Sequence, residues 1–262
     1  MLDADQRLRE GDLDGARAAL VENVRSNPAD PKARMFLFQL LAVAGEWDRA
    51  QTHLEALARL SPEAQMLATV YSQAMKAELQ RAEIFAGRER MPIIRGAWAE
   101  PLANAIEHYA AGRTAEGDAA RDAALDEAPD TPGQLDGVRF DWIADVDARF
   151  GPTIEAIIHG RYGLVAFSEI EKLESEGPKD LRDTVWLPVQ IAFREGQSVA
   201  ALLPSRYPGS ERCNDLPQRM ARATGWQSGP GGETASGQHL LALSAGEEVG
   251  LLGVRSLVFD PA

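Results

Sequence analysis

The stretch GDLDGA at residues 11–16 returns as GEWDRA at 45–50, a shift of 34 positions. The register holds around it. Leu20 coincides with Leu54 and Val24 with Ala58, and each copy precedes a proline, Pro28 or Pro62, by the same distance. In each copy a glycine (Gly11, Gly45) leaves room for the chain to reverse. Leu13 or Trp47 supplies an apolar contact, and Ala16 or Ala50 lets two helices approach closely. Asn27-Pro28 and Ser61-Pro62 then stop the second helix, because the residue before a proline is pushed out of the α region. A period of 34 with this pattern describes two antiparallel helices per unit, and such units bury their apolar faces only by stacking.

That period is the tetratricopeptide spacing. Met35, Phe38, Leu41 and Ala42 recur at helical intervals, as do Leu54, Leu57 and Leu60. Leu67, Val70, Tyr71, Ala74, Met75 and Leu79 continue the pattern through 64–90. Gly112 and Pro129 lie 67 residues beyond Gly45 and Pro62, one short of two periods, which predicts a degenerate helix pair over 110–128. MPIIRGAWAEP (91–101), with two prolines and Gly96, interrupts the stacking as a stiff break. Stacked units curve into a solenoid with a concave groove. Met35, Gln39, Val43, Thr69 and Gln73 point away from the seam marked by Phe38, Leu41 and Ala50, so these five are the expected partner-binding residues.

From Val138 the period drops to two. Val138, Phe140, Trp142, Ala144 and Val146 alternate with Arg139, Asp141, Ile143, Asp145 and Asp147. TIEAIIH (153–159) alternates as well, and His159-Gly160-Arg161 turns into LVAF (164–167). Ser168 with Glu171 reads as a capping box opening a short helix, SEIEKLES. VWLPVQIAFR (185–194) and SVAALLP (198–204) form a hairpin through Glu195-Gly196, with Pro188 marking an edge or a bulge. A short helix near 215–224, a flexible glycine-rich loop GPGGETASGQ (229–238) and two strands in HLLALSAGEEVGLLGVRSLVF complete the chain. The expected fold is α+β in two parts. A tetratricopeptide-like helical solenoid spans 1–137, and a β-rich domain, a bent sheet or small barrel with short helices, spans 138–262.

The chain has 262 residues and a formal net charge of −13, of which −8 falls before residue 138 and −5 after it. No basic stripe emerges, which argues against nucleic acid. One cysteine, Cys213, forbids an internal disulfide or a multi-thiolate metal site and reads as a structural thiol. The start, MLDADQRLREGDLDGA, is not a signal peptide, and no apolar run reaches the roughly 20 residues of a membrane helix; a cytoplasmic protein is expected. His53, His108, His159 and His239 form no metal-ligand spacing. The glycine-rich loop lacks the Lys-Ser/Thr of a phosphate cradle. Asp141, Asp145 and Asp147 share one side of a period-two strand; as a pair, Asp141 and Asp145 allow a metal-dependent hydrolase as a minor alternative. The favoured reading of these acids is a solvated face or arginine partners. Asp180, Arg182 and Asp183 read as an ion-paired turn, and Trp142, Trp186 and Tyr162 as core. No cofactor, metal or catalytic residue is assigned.

FDWIADVDARFGPTIEAIIHGRYGLVAF (140–167), PKDLRDTVWLPVQIAFREG (178–196), LLPSRYPGSE (202–211) and the GEEVGLLGVRSLVF tail follow one another in order. Together with the repeats they resemble the ImpE family, also called SciE or TagJ, accessory proteins of type VI secretion clusters. The residues that carry the resemblance, without an assigned role, are Phe140, Asp141, Trp142, Asp145, Arg161, Tyr162, Arg182, Asp183, Trp186, Arg206 and Tyr207. The resemblance implies a cytoplasmic, non-enzymatic adaptor whose partner is the N-terminal helix of the small contractile-sheath subunit, with a link to the AAA+ ATPase that recycles the sheath. A general repeat-type scaffold or co-chaperone is the alternative.

Overall fold

The computed structural model describes residues 2–60, 62–229 and 232–261. Two helical hairpins open it: α1 (Leu2–Arg9) with α2 (Leu13–Ser26), and α3 (Pro31–Val43) with α4 (Trp47–Ala58). The repeated glycines sit at the two turns with φ +86° at Gly11 and +71° at Gly45, a left-handed backbone that only glycine adopts without strain. Ala16, Ala50, Leu20 and Leu54 are fully buried where the helices cross. Asp12 and Asp30 cap α2 and α3 by accepting hydrogen bonds from the backbone N–H groups of Gly15, Lys32 and Ala33. Glu46 pairs with Arg17 and Arg49, tying the second hairpin to the first. The helix stop expected at Asn27 is found; of Ser61-Pro62, Ser61 lies outside the described residues, α4 ends at Ala58, and Pro62 opens the next helix.

The third unit breaks the period. α5 (Pro62–Phe85) runs 24 residues straight through Leu79, where a glycine turn would stand in register. The echo at Gly112 is the turn between α6 (Glu100–Ala110) and α7 (Thr114–Glu127), so the degenerate pair starts ten residues earlier than its expected 110–128. Between them, MPIIRGAWAEP is more than a break. Ile93–Arg95 forms β1, which joins the sheet of the second half in parallel with β6 (Arg161–Ala166).

That sheet has nine strands among the described residues, in the order β1-β6-β5-β9-β8-β7-β14-β2-β3. The remaining members are β2 (Gly133–Leu135), β3 (Val138–Phe140), β5 (Thr153–Ile158), β7 (Ile170–Glu174), β8 (Trp186–Phe193), β9 (Ser198–Pro204) and β14 (Ser256–Phe259). Only the β1–β6 pairing is parallel, and the sheet stays open rather than closing into a barrel. β4 (Ile143–Asp145), β12 (Leu240–Leu243) and β13 (Glu248–Gly250) form a small second sheet. Leu241, Leu243 and Ile143 from it share a core with Val165, Leu187, Ile191 and Leu203. α8 is Leu216–Arg219, and β10 (Thr224–Gly229) pairs with β11 (Gly232–Gly237).

Several expectations are corrected. The alternation from Val138 is not one strand: it divides between β3 and β4, which belong to different sheets. SEIEKLES is a 3-10 turn (Phe167–Glu169) followed by β7, because Ile170 and Leu173 are needed in the sheet core beside Phe193 and Ile191. The glycine-rich stretch is the β10–β11 hairpin, with Pro230 and Gly231 outside the described residues. Pro188 lies in an inner strand, yet β7 stops pairing at Glu174↔Gln190, so its missing N–H falls where β8 is locally an edge. The tail holds three strands rather than two. β1 and β2 both precede residue 138, so the sheet draws on each side of that position.

Helices and sheet share one core. The Trp186 ring of β8 lies 5.7 Å from Trp47 and 5.6 Å from Tyr71, and its Nε1 donates to Glu78 on α5 at 3.0 Å. Trp186→Ala is expected to lower stability by about 3–5 kcal/mol. In guanidinium titrations of the parent chain, the helical signal at 222 nm and tryptophan fluorescence should fall in one coincident transition. Two separate transitions would mean that the helices and the sheet unfold independently.

Candidate functional site

Two concavities stand out. The first is an open groove of about 740 Å³ across the first helices of the three units. Its sides come from Asp5 of α1, from Pro31, Lys32, Met35, Phe36 and Gln39 of α3, and from Glu63, Ala64 and Leu67 of α5, with Leu57 of α4 beneath. Lys32, Met35, Phe36 and Gln39 follow helical spacing, so α3 presents one stripe to it. The second, about 580 Å³, lies where α5 meets the sheet and includes Val70, Gln73, Ile157, Pro188, Ala200 and Leu202.

The five residues expected to share a groove are divided. Met35 and Gln39 line the first concavity and Gln73 the second. Thr69 is exposed and back-bonds to the Gln65 carbonyl at 3.1 Å. Val43 is fully buried at the end of α3 and cannot meet a partner. The reason is the sheet domain itself, which covers this end of the helices. Arg206 Nη1 donates to the carbonyls of Val43 (2.9 Å) and Arg219 (2.6 Å), capping the C-terminus of α3 with a cation. Glu211 packs against the Gly45 turn, where an added Cβ would come within 2.5 Å of Glu211 Cγ.

Beside these contacts lies a buried polar network that joins α5 to three strands. Arg81 donates from Nε and Nη2 to the two Glu155 oxygens (2.7 and 2.5 Å) and from Nη2 to the Arg206 carbonyl (2.7 Å). Glu155, central in β5, also accepts from the Tyr162 hydroxyl and from His239 Nε2 at 2.9 Å. His239 Nδ1 donates to Asp145 Oδ2 at 2.6 Å, and the Tyr207 hydroxyl to Asp145 Oδ1 at 2.6 Å. Burial alone would raise the Glu155 carboxyl, but the Arg81 guanidinium and His239 outweigh it and hold it at about 2. Burial alone would lower His239; the Asp145 and Glu155 carboxylates instead lift it to about 9, so the ring is an imidazolium donating from both nitrogens. Burial pushes Asp145 up against His239, brings Arg206 down to about 10 and raises Glu78.

Five of the eleven residues that carry the family resemblance find a place here. Asp145, Tyr162, Trp186, Arg206 and Tyr207 belong to the network or its border. Arg182 lies over the Tyr71 ring at 4.9 Å and pairs with Asp180 at 2.9 Å. Asp183 is buried and accepts from the backbone N–H groups of Lys179 and Asp180. Phe140 is core, 6.0 Å from Phe259. Arg161 and Asp141 are exposed, and Trp142, expected in the core, is 47% exposed. Asp141 and Asp145 therefore do not converge as an acid pair: one faces solvent and the other is sealed on His239 and Tyr207. The space beside Asp145, Glu155 and His239 measures about 10 Å³, room for about one water. Asp147 bonds Arg149 and the Ala235 amide, tethering β11. His159 is a turn residue with φ +50°.

Arg81, Glu78 and Glu155 were not singled out from sequence, and His239 was read there only as lacking a metal-ligand spacing. The first two fall on the apolar stripe of α5 beside Tyr71, Ala74 and Met75, and Glu155 sits inside an otherwise apolar strand. A charge on a buried stripe is the signal that marks them.

A stacked-helix interaction module with an open groove on its first helices, locked to an open mixed sheet, is the class of protein these features define. Residues 7–74 match the tetratricopeptide repeat model and residues 137–258 the ImpE protein model. The chain is 41% identical, over 98% of its length and 91% of the relative's, to the type VI secretion system accessory component TagJ of Pseudomonas aeruginosa. It therefore belongs to the ImpE/TagJ family. A crystal structure of the protein VPA1032 from Vibrio parahaemolyticus, 21% identical, superposes with a TM-score of 0.88 over 99% of this chain and 98% of that one, so the two share a fold.

Two outcomes test the network. The His239 contribution is complete below its unfolded value near 6.5 and disappears as pH rises through about 9. Unfolding titrations should therefore show stability falling between pH 6.5 and 9, by on the order of 3 kcal/mol from this group, and His239→Gln should flatten that limb. Arg81→Met strands the buried Glu155 carboxylate and should cost about 3–5 kcal/mol. Adding Glu155→Gln to Arg81→Met should recover part of the loss, as read by denaturant midpoints.

Proposed function

We propose that this chain is a non-enzymatic adaptor of a type VI secretion system that holds a helix of another protein in the groove of α1, α3 and α5. The observation that carries the reading is the groove itself, with Met35, Phe36, Leu57, Ala64 and Leu67 forming its apolar part and Asp5, Lys32 and Glu63 its polar rim. An amphipathic helix lays its apolar face into such a surface. Membership of the ImpE/TagJ family supplies the context, since the Pseudomonas relative is an accessory component of that secretion system. The partner we propose is the N-terminal helix of the small contractile-sheath subunit, met in the cytoplasm. Through it the adaptor modulates sheath assembly or its ATPase-driven disassembly. The sheet domain then remains free for a second partner, for which the AAA+ ATPase is our proposal. No helix among the described residues is long and apolar enough to cross a membrane.

The test is a calorimetric titration of the purified chain with the sheath subunit's N-terminal helix peptide against a scrambled peptide of equal charge. Saturable binding with a Kd in the micromolar range, about −8 kcal/mol, suits an adaptor that must release its cargo. Leu67→Asp in the groove should weaken binding about tenfold or more, whereas Ala200→Arg in the second concavity should leave it unchanged. Loss of binding in Ala200→Arg with retention in Leu67→Asp would move the site to the face between α5 and the sheet.

A further inference from the structure

Gln39 stands apart from the rest of the groove. It is 8% exposed, it lines the first concavity, and its side-chain amide has no hydrogen-bond partner among the described residues. Neither amide atom is both buried and unpaired, so the group opens toward the groove, where solvent reaches it. Around it are Met35, Phe36, Leu57 and Leu67, none of which offers a donor or a strong acceptor. At the rim, Lys32 has no carboxylate within ion-pair distance among the described residues, whereas Asp5 is paired with Arg9.

A docked helix changes the balance. Its backbone N–H and C=O groups are spent within the helix, so only a side chain can replace the water on Gln39. A purely apolar stripe would bury the amide unpaired, and the loss corresponds to roughly 10- to 100-fold in Kd. One polar residue within an apolar seam is also a known way to fix register. We infer that Gln39 is the specificity-determining residue of this groove. It selects a helix whose apolar stripe carries one amide or hydroxyl side chain, which pairs with the Gln39 amide and sets the helix's register, with an acidic residue beside the stripe meeting Lys32. This rests on the helix-in-groove reading above and adds what the helix must carry.

The experiment uses model peptides that do not depend on the identity of the partner. A set of amphipathic helices with a leucine stripe, each carrying a single Asn at one of the central stripe positions, is titrated against the full chain beside the all-leucine parent peptide. The sheath-subunit peptide is included as a separate arm. At least one Asn peptide should bind the parent chain about tenfold or more tightly than the all-leucine peptide. In Gln39→Leu, which keeps the groove filled, the order should reverse, with circular dichroism confirming the fold. Lys32→Ala should weaken only peptides with an acid flanking the stripe. Equal affinity of Asn and all-leucine peptides for the parent chain overturns the inference. So does an equal loss for every peptide in Gln39→Leu, which would mean that Gln39 meets a backbone group, and so does failure of every model helix to bind. If the model helices show the reversal while the sheath peptide does not bind, the sheath assignment fails and the Gln39 inference stands.

Discussion

Arg81 of α5 and Glu155 of β5 form a buried ion pair that fastens the helices to the sheet. A guanidinium from a helix and a carboxylate from a strand are both removed from water, and the cost of doing so for either alone is several kcal/mol. Each therefore relies chiefly on the other, with Glu78 at 3.5 Å as a further partner for Arg81 and His239 at 2.9 Å for Glu155. Satisfying them recruits Tyr162, His239 and the Arg206 carbonyl, and through His239 the second carboxylate, Asp145, with Tyr207. Since the participants come from α5, β4, β5, β6 and the segments around 206 and 239, the network fixes the helical module on the sheet in one orientation. A hydrophobic contact alone would tolerate sliding. A buried network with fixed donor and acceptor positions does not.

This orientation decides which part of the solenoid is available. Stacked helices ordinarily present the whole length of their first helices to a partner. Here Arg206 caps α3, Trp186 packs at a tilt against Trp47 and Tyr71, and Arg182 covers the Tyr71 ring, so the sheet domain takes the C-terminal end of that surface. What remains open is the N-terminal half of α3 with the start of α5, where the groove lies. Asp145, Tyr162, Arg182, Trp186, Arg206 and Tyr207 serve this joint, and the part of the helical surface left open follows from where the joint is made.

The sequence revealed the repeat because its turns are chemically explicit: glycine at 11 and 45, small residues at 16 and 50, helix-stopping prolines. The β hairpins at His159-Gly160 and Glu195-Gly196 were legible for the same reason. It was less informative wherever tertiary contact overrides local pattern. SEIEKLES has the signature of a capped helix, yet Ile170 and Leu173 are worth more in the sheet core. The run from Val138 to Asp147 alternates, but the backbone leaves one sheet for another in its middle. For the site, helical register alone placed Met35 and Gln39 in the groove, while Val43, one turn further on, is covered by a domain whose position no local pattern encodes. His239 and Glu155, 84 residues apart, illustrate the same limit.

α5 and the sheet should behave as one cooperative unit that holds the groove rigid. Native-state hydrogen exchange measures this directly, since amides that open only with global unfolding exchange at the full unfolding free energy. Amides of residues 74–85 in α5 should exchange at the same free energy as those of β5 and β8. Exchange of that segment at a distinctly lower free energy, together with α1–α4 and apart from the sheet, would contradict it.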